Sequence, residues 1–137
     1  RVRDQQKVLI HANKEKTKAG SRHYIHAQDV ADGLMFILNL KNYSHKGDFG
    51  NAKCPKFNLV GPEEIDNLTL AQTIAKVQKK DLVYELIDNH SSRPGHDLRY
   101  SLSPKLLKSL GWEPKIKLSK RIEEVVEWSL KNKRWLS

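Results

Sequence analysis

A chain of 137 residues, 38% hydrophobic and 30% charged, is long enough to bury one core, and this balance excludes whole-chain disorder. The longest apolar run, Leu34 to Leu38, is too short to cross a bilayer, so no membrane association is expected. The single cysteine, Cys54, excludes an intrachain disulfide framework, and no signal-peptide-like segment opens the chain, so a cytoplasmic setting is expected. The formal charge of +9 raises nucleic acid as a partner, but the 18 lysines are scattered. They are dense only at Lys14/Lys16/Lys18 and from Lys115 to Arg121, with no aromatic-interleaved basic strand. A small anionic ligand is the better expectation, and no nucleic acid.

Lys7 to His11 (KVLIH) reads as a short strand, Asn13 to Gly20 as a lysine-rich loop, and Arg22 to His26 (RHYIH) as a second strand. A helix is expected from Asp29, with Asp29 as N-cap and Val30, Leu34, Ile37 and Leu38 at helical spacing. Ala31, Met35 and Phe36 widen its apolar sector, which predicts burial over much of its surface. Gly33 costs about 1 kcal/mol against Ala in mid-helix and so predicts close packing there. Asn42 to Pro55 is a polar loop, and Phe57 to Val60 a short apolar strand ending in Gly61-Pro62. Asn67 is expected to cap a helix with Leu70, Ile74 and Val77 on one face, and Leu82 to Ile87 to form the next strand. Asp88 to Leu98 is a loop. Ser103 caps a helix that stops at Gly111, ahead of Trp112 and Pro114. Ser119 caps the last helix, with Ile122, Val125, Val126 and Ser129 inward and Trp128 beside them. Strands alternating with helices predict an α/β chain.

The most informative segment is Ser91-Ser92-Arg93-Pro94-Gly95-His96-Asp97-Leu98-Arg99-Tyr100. Pro94 fixes its own φ and drives Arg93 extended, while Gly95 can adopt a positive φ before His96. The result is a stiff loop presenting one guanidinium and one imidazole, suited to an anionic ligand. Metal is not expected: His23 and His26 are three apart in a predicted strand, there is no CxxC, and only one cysteine is present. Cys54 has no identified base to make it a nucleophile.

This segment resembles the Arg-Pro-Gly-His-Asp region of the nucleotide-sugar 4,6-dehydratases, of the extended short-chain dehydrogenase family. Other matches occur in the right order. Arg22-His23-Tyr24-Ile25-His26 followed by Gln28-Asp29-Val30-Ala31 resembles the segment whose arginine contacts the substrate pyrophosphate. Phe57-Asn58-Leu59-Val60-Gly61 resembles a Tyr-Asn-Ile-Gly-Gly strand end, after which the family's substrate asparagine falls on Asn67. Leu110-Gly111-Trp112-Glu113-Pro114, with Trp128 and Trp135 beyond, resembles the closing region.

The resemblance implies a fold that is the C-terminal portion of a Rossmann-type NAD-binding sheet interleaved with the small sugar-nucleotide-binding lobe. Residues 22–60 would belong mainly to the sheet, and 1–21 and 61–137 mainly to the substrate lobe. Arg22, Asn67, Arg93, Pro94, Gly95 and His96 would bind the substrate, a dTDP- or UDP-linked glucose. The implied whole is an NAD-dependent lyase and a homodimer. No GxGxxG turn occurs, and none of Tyr24, Tyr43, Tyr84 or Tyr100 has lysine four residues on. NAD and the catalytic Tyr/Lys pair are therefore expected upstream, and the missing initiator Met fits a chain that begins partway through a gene product. Ala12 to Ser21 departs from the family in being lysine-rich and lacking an aromatic. A related epimerase or decarboxylase is the enzyme alternative, and a basic nucleic-acid-binding module the non-enzyme one.

Overall fold

The computed structural model describes residues 1–41, 56–88 and 97–136. The expected polar loop Asn42 to Pro55 lies outside them, as do Arg93, Pro94, Gly95 and His96. Strand β1 (Val8–Ala12) pairs in parallel with β4 (Tyr84–Asp88), with Val8 opposite Tyr84 and Ala12 opposite Asp88. A second sheet has β2 (Ser21–His23) at its centre, antiparallel to β3 (Glu64–Asp66) and parallel to β5 (Arg99–Tyr100). The helices are α1 (Ala27–Leu38), α2 (Asn67–Val77), α3 (Lys105–Ser109) and α4 (Leu118–Lys131), followed by a 3-10 turn at Lys133–Trp135. The mixed α/β class with parallel strands is as expected. Among the described residues no helix is long and apolar enough to cross a membrane.

Helix α2 sits between the β1–β4 sheet and α4. Its small Ala71 and its Leu68 pack with Ile10, Ala19 and Leu86. Its Leu70, Ile74 and Val77 meet Leu118, Ile122 and Val126 of α4. The expected apolar face of α2 is thus the one that buries α4. On α4, Val125 is 46% and Trp128 52% exposed, so the inward stripe is narrower than predicted, and it begins one turn earlier, at Leu118. Trp128 leans instead on Trp135, ring centroids 6.3 Å apart.

The Leu-Gly-Trp-X-Pro element ends α3 as expected. Gly111 has φ +99°, its N–H bonds Lys108 O at 3.1 Å, and Trp112 N–H bonds Leu107 O at 2.9 Å, a Schellman closure. Trp112 is 5% exposed and donates Nε1–H to Asp32 Oδ2 at 3.0 Å. A Cβ at Gly33 would lie 2.7 Å from the Trp112 ring and 2.3 Å from Leu59 Cδ2, the close packing that a mid-helix glycine predicted.

Several expectations are corrected. Phe57 to Val60 forms no strand; Leu59 reaches the surface of Gly33 and Val60 is buried, so the apolar run serves packing rather than a ladder. The N-cap of α1 is His26, whose Nδ1 accepts from Gln28 N–H at 3.1 Å; Asp29 lies in the first turn and is buried against Arg121. Leu34, Met35 and Leu38 of α1 are 51%, 58% and 78% exposed, so this helix is not covered as predicted. Asp66, not Asn67, caps α2, because its carboxylate accepts from Leu68 N–H, Thr69 N–H and the Thr69 hydroxyl. Lys117 precedes α4 in the position assigned to Ser119, and Pro104 stands at the N-cap of α3 with Ser103 Oγ one residue earlier, 3.4 Å from Lys105 N.

Candidate functional site

The lysine-rich segment after β1 is ordered by Asn13. Its Oδ1 accepts from Thr17 and Lys18 N–H, each at 2.8 Å, and Asn13 N–H bonds Lys18 O at 2.9 Å. This side-chain-built turn returns the chain as a hairpin, with Ala12 bridged to Ala19 and Gly20 N–H on His11 O at 3.0 Å. The chain thereby delivers Gly20 and Ser21 to the junction of the two sheets.

Two segments distant in sequence converge there. Asn67 N–H, at the start of α2, bonds Gly20 O at 2.8 Å, and Ser21 N–H bonds Leu98 O at 3.0 Å. A Cβ at Gly20 would lie 2.8 Å from Leu98 O and 3.5 Å from Asn67 Nδ2, so the approach leaves little space beyond glycine. Asn67 Oδ1 accepts from the Tyr24 hydroxyl. Burial raises the Tyr24 pKa, aided by Asp66 and opposed by Arg22, so the phenol stays protonated at neutral pH.

Arg22 points across this junction. Its Nη1 donates to Leu98 O at 2.8 Å and to Ser21 O at 2.5 Å, its Nη2 to Asp97 O at 3.2 Å, and the guanidinium lies 4.3 Å from the centre of the Tyr100 ring. Among the described residues its Nε has no hydrogen-bond partner. Its partners are neutral carbonyls and an aromatic face, with no carboxylate among them. Asp97 and Leu98 are the first described residues after the Arg93–His96 segment. Arg22 and Asn67 therefore share one neighbourhood around Gly20 and Leu98, while the other four expected site residues lie outside the described ones.

Beside them is an ion-paired node absent from the sequence expectations. Glu64 accepts from Arg99 Nε and Nη2, both at 2.7 Å, and from Ser21 Oγ at 2.6 Å; His23 Nε2 lies 3.7 Å away. The hydrogen bonds from Arg99, then that from Ser21, hold the Glu64 carboxyl down to a pKa of about 2. The node borders a cavity of about 480 Å³ lined by Lys18, Ser21, Glu64, Asp66 and Arg99 among others. Its cations are balanced by two carboxylates, and neither Arg22 nor Asn67 lines it. Tyr24 and Glu64 were the residues missed. Tyr24 has a local signal, two positions after Arg22, the spacing that shares one strand face; Glu64 has none.

Strand β1 runs into the Asn13 turn and the hairpin, not into a glycine turn that opens a helix, so no N–H cradle for a pyrophosphate follows it.

No protein-family model matches the chain. Among curated proteins, dTDP-glucose 4,6-dehydratase 1 of Escherichia coli K12 is 34% identical over 121 residues, 84% of this chain and 31% of that protein. The Arabidopsis thaliana trifunctional UDP-glucose 4,6-dehydratase/UDP-4-keto-6-deoxy-D-glucose 3,5-epimerase/UDP-4-keto-L-rhamnose-reductase is 28% identical over 116 residues, 83% of this chain and 15% of that protein. The crystal structure of dTDP-glucose 4,6-dehydratase from Bacillus anthracis in complex with NAD superposes with a TM-score of 0.70 at 24% identity, covering 96% of this chain and 37% of that one. The chain thus spans about a third or less of the length of these relatives. Over most of its own length it matches the C-terminal part of the dTDP-glucose 4,6-dehydratases, and it shares their fold.

Proposed function

We propose that the protein carrying this chain is an NAD-dependent nucleotide-sugar 4,6-dehydratase, a lyase that converts dTDP- or UDP-glucose to the 4-keto-6-deoxy sugar nucleotide. In this reading the chain supplies the grip on the substrate. The 34% identity to the E. coli enzyme across 84% of the chain is the observation that supports it most strongly. The geometry adds that Arg22 and Asn67, two of the six expected substrate residues, meet at one junction.

The roles follow from chemistry. A diphosphate stays ionised, so its partner should be a donor fork that cannot lose its proton; Arg22 and Arg93 have that character. Asn67 offers an uncharged donor in its side-chain amide, since the first N–H groups of α2 are already taken by Asp66 and Gly20 O. Pro94, Gly95 and His96 are assigned to the substrate with Arg93 on the sequence resemblance alone. Holding the nucleotide fixes the sugar for reaction, which converts binding into orientation. NAD and the acid/base groups are assigned to a part corresponding to the relatives' other two-thirds. In this reading residues 22–60 contribute mainly to the NAD-binding sheet and 1–21 and 61–137 mainly to the substrate lobe, and contact with that other part would cover the exposed apolar Leu34, Met35 and Leu38 of α1. The intact enzyme is a cytoplasmic homodimer in this reading.

Mass spectrometry of the product tests it. With dTDP-glucose or UDP-glucose, the full-length protein should yield a sugar nucleotide lighter by one water. An isomer of unchanged mass would identify an epimerase, and loss of carbon dioxide from a UDP-hexuronate a decarboxylase. No conversion of any of these would overturn the enzyme reading.

A further inference from the structure

We infer that Tyr24 is a positioning residue for substrate binding: its hydroxyl fixes the Asn67 side-chain amide so that the NH2 group, not the oxygen, is left for the ligand. This rests on the assignment of Asn67 to the substrate site. A carboxamide has an acceptor end and a donor end of nearly equal shape, and rotation by half a turn exchanges them. Facing an anionic oxygen, the two orientations differ in sign: NH2 donates a hydrogen bond, whereas Oδ1 repels. The backbone of Asn67 is already fixed by its N–H on Gly20 O at 2.8 Å, so the orientation of the amide is the remaining freedom.

Tyr24 removes that freedom. Its ring packs against the α4 residues Leu118, Ile122 and Val126, which anchors the phenol independently of Asn67. The hydroxyl donates to Asn67 Oδ1, and Nδ2 falls on the Gly20 side, 3.5 Å from where a Cβ would stand. With the oxygen occupied by a donor, the amide can offer only N–H groups elsewhere. The raised Tyr24 pKa keeps that donor proton in place across the neutral range. Arg22, two residues earlier, and Asn67 then present donors of matched sign beside Leu98.

The test is a double-mutant cycle on the full-length protein, with dTDP and UDP as calorimetric probes. Tyr24→Phe keeps the ring and removes one hydrogen bond, so affinity should fall about three- to tenfold. Asn67→Ala should weaken binding by at least as much, and Tyr24→Phe in the Asn67→Ala background should add nothing. Asn67→Asp, which offers the anion only oxygens, should bind more weakly than Asn67→Ala. If Asn67→Ala weakens binding and Tyr24→Phe does not, the inference fails while the site stands. If Asn67→Ala binds as wild type, Asn67 leaves the site and the inference falls with it. Full additivity of the two substitutions would show that Tyr24 acts through something else, and would also overturn it. Should Tyr24→Phe not fold, the wild type decides: on saturation with dTDP the side-chain NH2 resonances of Asn67 should shift, and unmoved resonances would refute the proposal.

Discussion

Arg121 donates Nη2–H and Nε–H to the carboxylate of Asp29 at 2.6 and 3.0 Å, and Nη1–H to Glu124 at 2.7 Å. These bonds raise its pKa further. Asp29 is 5% exposed, so Arg121→Met would leave a buried carboxylate without its cation and should cost about 3 kcal/mol, read as a lower urea midpoint. The sequence could not show this pair, because its members are 92 positions apart; Asp29 had only its local reading as a cap. Glu64 gives a pH prediction. Its folded pKa, about 2, lies below the ordinary 4.5, so its contribution to stability is complete above about 4.5 and is lost as pH falls toward 2. Arg99→Leu should raise the Glu64 pKa and shift acid unfolding to higher pH. A carboxyl NMR titration that leaves Glu64 where it was would contradict the assigned cause.

At the scale of elements, what was legible is what local chemistry decides. The β1 and β4 strands, the apolar face of α2 and the glycine stop of α3 follow from periodicity and turn residues. Phe57 to Val60 was misread because an apolar run suits packing against Gly33 and Trp112 as well as it suits a ladder. The caps slipped by a residue or more because neighbouring residues competed, as at Asp66-Asn67, where the carboxylate accepts more bonds than the amide. Gly33→Ala should lower the melting temperature despite its gain of about 1 kcal/mol in helix propensity, since the new methyl would overlap Leu59 and Trp112. Helix α2 closes with the same hydrogen bonds as α3 but with a lysine in the glycine's place: Lys79 has φ 53°, with its N–H on Lys76 O at 3.0 Å and Lys80 N–H on Ala75 O at 3.0 Å. Lys79→Gly should therefore stabilise the fold by about 1 kcal/mol, measurable by thermal unfolding.

For the whole molecule, the α/β class and the likeness to nucleotide-sugar 4,6-dehydratases were both legible, while the cover of α1 was not. Leu34, Met35 and Leu38 repeat at helical spacing, as a buried helix would, yet they face outward within this chain. Periodicity shows that a face wants cover; it cannot show whether the cover lies in the same segment. The 137-residue chain alone, with no glycine turn and no Tyr-X-X-X-Lys, should show no NADH-linked turnover of dTDP-glucose or UDP-glucose. The central proposal is that Arg22 and Arg93 hold the diphosphate of a sugar nucleotide. Its most direct test is the affinity of the full-length protein for dTDP-glucose and UDP-glucose, measured by calorimetry for wild type, Arg22→Ala and Arg93→Ala. Each substitution should weaken binding of the preferred sugar nucleotide about ten- to a hundredfold, the loss of a charge-assisted bond, and leave NAD affinity unchanged. Wild-type affinity in both variants would contradict it.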